Sequence, residues 1–169
     1  MDKKVQNPLL ICLPIEQKQL LSTYINANAE WAAMPKNSDT AYFLAQELNK
    51  PFATTFIVWR TNVDPNEIMR NGLDWTRVDN LTVGKARIWD WMTSLGSLNP
   101  SKANIRAGID ATWVGTAADL AVRAVVYTHC KRQATIVEKL LSTGSGTDAS
   151  PAIMGYESPI SYQEVESIW

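Results

Sequence analysis

The chain has 169 residues, 46% of them hydrophobic and 20% charged, which is the composition of a folded chain of one domain's size and excludes a disordered one. Its formal net charge of -1 excludes the strong basic excess of a general nucleic-acid binder. Two cysteines, Cys12 and Cys130, are too few for a disulfide framework.

The apolar run LLICL (9–13) is too short for the core of a secretory leader, and no span of about 20 apolar residues occurs anywhere. The expectation is a cytoplasmic protein with reduced thiols and no membrane span. In chain order, 15–31 predicts a helix with Leu20, Leu21, Tyr24 and Ile25 on one side. Asn37, Ser38 and Asp39 then cap a helix over 37–50, with Ala41, Leu44, Ala45 and Leu48 on one face and Pro51 as its stop. FATTFIVWR (52–60) is strand-like, but no second strand is evident before the C-terminal segment. It therefore reads as extended packing or a short strand.

Asp64, Pro65 and Glu67 supply a cap, an N1 proline and a capping-box acid for a helix ending near 71–72. LDWTRVDN (73–80) continues as another turn or two, Thr82 caps a helix over 83–95, and NPSK (99–102) opens the next. Thr116 and Asp119 begin the longest stretch, read as one helix over 117–144, with Lys139 in its last turn and Gly144 just past it. Its two apolar stripes, one through Leu120, Ala124 and Tyr127 and one through Val122, Val126 and His129, predict a central position or one shared with a neighbouring subunit. The expected fold class is all-α: an antiparallel helical bundle over 1–142 with a long central helix, followed by a flexible linker and extended C-terminal tail over 143–169 that holds a short strand or hairpin. That tail is broken by Gly and Ser, yet it carries Met154, Tyr156, Ile160, Tyr162 and Trp169. Apolar anchors of this kind imply docking, and SYQE (161–164) is a capping box for one last helical turn.

Catalytic chemistry is weakly signalled. His129 is the single histidine, mid-helix on an apolar stripe, and adjacent helix positions point about 100° apart, so it cannot form a nucleophile–base pair with Cys130. One histidine and two distant cysteines do not make a zinc set. GSGTDAS (144–150) lacks the Lys-Ser/Thr of a phosphate loop and follows a helix where such a loop precedes one. No cofactor, metal or enzymatic activity is expected. Seven tryptophans are the other unusual count. Trp89 and Trp91 stand two apart on a helix and cannot share one core, so one of them faces another helix or another subunit. Arg123, Lys131 and Arg132 are the candidates for ion pairs between subunits.

The ordered patterns VWRTNV (58–63), EIMRNGLDWTRVDNLTVGKARIWDWM (67–92), NPSKANIRAGIDATWVGTAADLAVRAVVYTHCKRQAT (99–135) and TGSGTDASPAIMGYESPISYQEV (143–165) resemble short proteins encoded among the virion morphogenesis genes of tailed bacteriophages and prophages. The layout is similar to that of head-to-tail connector, or adaptor, proteins. These are helical bundles that form a ring, commonly dodecameric, beneath the portal and reach into it with extended C-terminal segments. The resemblance implies a structural virion protein of the neck, present in the host cytoplasm during assembly. Its partners would be the portal, further copies of itself and a downstream tail or neck protein, while DNA passes through without specific binding. Two alternatives remain: a tail-completion or capsid-associated protein, and, from another class, a small nucleic-acid-processing or host-directed enzyme.

Overall fold

Capping residues start most of the helices. The fold comes from a computed structural model and is described for residues 13–169; Cys12 and residues 9–12 of the LLICL run lie outside them. Helix α1 spans Ile15–Ala27, and Asn28 ends it and accepts from Glu30 and Trp31 to start α2, Ala29–Ala32. Asn37 caps α3, Ser38–Leu48, which buries Ala41, Leu44, Ala45 and Leu48 on the expected face. Asp64 caps α4, Pro65–Arg70, and Asp74 caps α5, Trp75–Asp79. Then follow α6, Val83–Thr93, and α7, Ala103–Thr112. Glu67 does not complete a capping box; its carboxylate takes a hydrogen bond from Arg60 at 2.8 Å, which lowers its pKa.

The long helix is the main correction. Helix α8 spans Ala117–His129 and stops at the buried Cys130. Strand β1, Ile57–Trp59, takes up the next residues: Lys131–Gln133 form β2, paired antiparallel with β1 in the register Ile57–Gln133, Val58–Arg132 and Trp59–Lys131. Thr135 and Glu138 then make a full capping box for a new helix, α9, Ile136–Leu140. Strand β3, Ser142–Thr143, pairs antiparallel with β4, Ile153–Met154. A capping box of Ser161 and Glu164 starts α10, Tyr162–Glu166. The fold is therefore helix-rich but mixed, with two small sheets and no long central helix among the described residues.

The chain forms two compact units. One comprises Met1–Pro51, Thr135–Leu141 and Tyr156–Trp169; the other comprises Phe52–Ala134 and Ser142–Gly155. In the first, α3 packs on α10, and the core joins Leu21, Ile25, Leu44, Leu48, Val137, Ile160 and Val165. In the second, Ile68, Trp89, Leu98, Ile109, Trp113, Val122 and Val126 form the main core. A smaller cluster of Val58, Ala134 and Ala152 sits about β1. Ala152 forms a parallel bridge with Val58 and accepts from the Trp59 N–H at 2.9 Å, so residues from both sides of the glycine-rich segment are built into this unit. The expected extended tail is corrected by the same packing, because Ala152, Ile160 and Val165 are 0–2% exposed. Among the described residues, no helix is long and apolar enough to cross a membrane.

Candidate functional site

The pairing of β1 with β2 places Trp59 opposite Lys131. The Trp59 ring is covered by two cations: the Lys131 ammonium lies 5.9 Å from its centroid and the Arg106 guanidinium 5.2 Å. Such contacts hold a cation against an aromatic face without neutralising it. Tyr127 of α8 packs against Trp59 at 5.5 Å between centroids, and its hydroxyl lies 2.9 Å from Asp110 Oδ1 and 3.2 Å from the Arg106 carbonyl. Burial, then the Asp110 carboxylate, raises the Tyr127 pKa, so the phenol stays protonated and donates. Arg123 faces Asp110 at 3.4 Å, and Lys131 donates to the Asp148 carbonyl at 2.8 Å. Leu120, Ala124, Thr128 and Ala149 complete a cleft of about 640 Å³. A groove of about 390 Å³ shares Trp59, Arg106 and Ala149 with it and runs along Gly144, Pro151 and Ile153.

No protein-family model, curated protein or solved structure matches this chain.

The cleft brings two of the sequence-selected residues, Arg123 and Lys131, to one place. Arg132 points elsewhere, with Nη2 3.3 Å from Met154 Sδ. Trp89 is in the core, edge-on to Trp113 at 5.3 Å, and is 3% exposed. Trp91 is 65% exposed beside a shallow apolar groove formed by Ile88, Met92, Leu95, Ile105 and Gly108, with the Arg87 guanidinium 6.0 Å from its ring. The two-residue spacing of these tryptophans on α6 thus splits them between core and surface.

The tail residues divide too. Ile160 is buried, its N–H donating to Asn49 Oδ1 at 2.8 Å and its carbonyl accepting from Asn49 Nδ2 at 2.9 Å. Tyr156 is half-buried, with its hydroxyl 3.3 Å from both Glu164 oxygens and its pKa pushed up to about 12, first by burial and then by that carboxylate. Met154 is half-buried, and Tyr162 and Trp169 are exposed.

Trp59, Arg106, Asp110 and Tyr127 were not singled out by sequence reasoning. The signal was the strand-like run over 52–60, which had no visible partner until 131–133 left the helix. His129 and Cys130 are both engaged in the packing of the described residues. His129 Nε2 lies 2.9 Å from the Asn71 carbonyl and Nδ1 lies 3.4 Å from Glu67 Oε1. Burial pushes the Cys130 thiol up to about 12, so it carries negligible thiolate at neutral pH. Among the described residues, no group of three or more His, Cys, Asp or Glu is placed to hold a metal ion. The cleft is equipped for recognition: an aromatic floor, cations held by carbonyls and carboxylates, and an apolar rim.

Proposed function

We propose that the chain is a structural protein of a tailed-phage virion, working by recognition as the head-to-tail adaptor that forms a ring beneath the portal. The observation that carries this reading is the amount of large apolar surface on a chain with well-filled cores. Trp75, Val83, Trp91 and Leu95 are 58–76% exposed in one unit, and Tyr42 is 59% exposed in the other. Trp91 and Leu95 line one apolar groove with Ile88, Met92 and Ile105, and exposed apolar surface of this kind marks sites of association. The resemblance over roughly 40–165 supports the virion as the setting. The near-neutral total charge fits a conduit that lets DNA pass, since phosphate neutralisation by Lys and Arg would bind it tightly and with strong salt dependence.

Within this reading the C-terminal anchors have separate tasks. Ile160 ties the segment to α3 of its own chain, leaving Tyr162 and Trp169 as the exposed aromatics for portal docking. The test is mass photometry of the protein with purified portal rings, using the full chain and a Tyr162→Ala/Trp169→Ala double variant. The expected result is binding in a fixed multiple per ring, lost in the double variant while its thermal unfolding stays unchanged. No binding by either form removes the portal and moves the reading to a tail or capsid partner.

A further inference from the structure

Among the described residues, Arg106 is the cleft cation that pairs with no carboxylate. Its guanidinium donates to the carbonyls of Pro100 at 2.7 Å and Ser101 at 2.9 Å and covers Trp59, whereas Arg123 faces Asp110 and Lys131 faces Asp148. Carbonyls satisfy donors but leave the charge, and a planar guanidinium is shaped to take a carboxylate. Leu120, 42% exposed, lines the same cleft. The cleft therefore has chemistry for a partner that brings a carboxylate together with apolar rings.

The chain itself displays such a surface. Asp39, Tyr42 and Phe43 are three and four apart on α3 and share one face. Tyr42 is 59% exposed and Phe43 38% exposed. Glu166, hydrogen-bonded by Ser38, adds a second carboxylate at the start of the same helix. Charge is partitioned in the same sense. The unit that holds α3 has nine acidic and six basic residues, and the unit that holds the cleft has eight acidic and ten basic.

We infer that the Trp59–Arg106 cleft of one copy receives the Asp39–Tyr42–Phe43 face of a second copy. Asp39 pairs with Arg106, and the two rings lie against Leu120 and the cleft wall. The patches differ, so the contact is heterologous and each copy keeps one patch of each kind for the next. This deepens the ring reading by naming its lateral surfaces, and it rests on that reading only for ring closure.

Sedimentation velocity of the full chain over a range of concentrations, at low and high salt, tests it, with Asp39→Lys, Tyr42→Ala and Arg106→Glu as variants. The wild type is expected to self-associate, less so at high salt, and each variant to associate about tenfold more weakly. Mixing Asp39→Lys with Arg106→Glu should restore association, because each supplies the patch the other lacks. Arg106→Glu also forfeits two carbonyl hydrogen bonds; if it fails to fold, the two variants on exposed α3 side chains decide. A wild type that stays monomeric up to about 100 μM overturns the inference. So does association indifferent to Asp39→Lys and Tyr42→Ala. Portal binding measured separately then shows whether the adaptor reading falls with it.

Discussion

Asp119 shows how much one side chain can do at a helix start. It accepts from the Thr116 N–H at 3.0 Å to close the capping box of α8, and it takes an ion pair from Arg77. The Arg77 hydrogen bond, then those from Thr116, hold its carboxyl down at about 2. A carboxyl whose folded pKa lies below its unfolded value of about 3.9 stabilises the fold above that unfolded value and loses the effect as pH falls. The thermal midpoint should therefore drop between about pH 4 and pH 2, and Asp119→Asn should flatten that slope while lowering the midpoint at neutral pH. Gly146 offers a second residue-scale test. Its φ of +67 suits glycine, and an added Cβ would come within 2.2 Å of the Phe56 ring. Gly146→Ala should cost about 1–3 kcal/mol in chemical denaturation. Gly108→Ala, facing the flexible Met92 sulfur at 2.6 Å within α7, should cost less, since the helix gains from alanine. The cap at Thr116 is readable from four consecutive residues; Arg77 is not, because it arrives from another helix.

At the scale of elements, what was legible follows how far away the cause lies. Helices α3, α4, α8 and α10 begin where cap residues stand, because capping is local. The break in 117–144 is different. Periodicity runs through it, and only the antiparallel demand of Ile57–Trp59, far earlier in the chain, pulls Lys131–Gln133 out of the helix. A local clue was present in Thr135-Ile136-Val137-Glu138, a capping box in mid-stretch, outweighed by the apolar stripes. Removing that clue has a measurable cost: Thr135→Ala should destabilise the fold by about 1 kcal/mol. Ile160→Ala, which empties a fully packed site between α3 and α10, should cost about 2–4 kcal/mol, whereas Trp169→Ala should stay within about 0.5 kcal/mol. Urea melts of the three variants would rank them.

For the whole molecule, the C-terminal residues are structural before they are anything else. A chain ended at Gly144 loses Ala152 from the edge of β1 and Ile160 and Val165 from the core shared by α3 and α10. Such a truncation should lose cooperative unfolding, as read by circular dichroism, so its failure to bind a partner would not isolate docking. The cleft was the least legible feature of the sequence. Its floor, walls and counter-ions come from β1, α7, α8, β2 and the 148–149 turn; α8 supplies five of the lining residues and every other element one or two, and each looks ordinary alone.

One feature of the unit built from Met1–Pro51, Thr135–Leu141 and Tyr156–Trp169 governs timing. Its core joins Leu21, Leu44 and Leu48, early in the sequence, to Ile160 and Val165, far later in it. At ordinary translation rates α3 emerges seconds before α10 can cover it. The nascent helix must wait on the ribosome with Leu44 and Leu48 unsheltered. The core of this unit therefore closes only once Ile160 and Val165 have been made, however early α1 and α3 form.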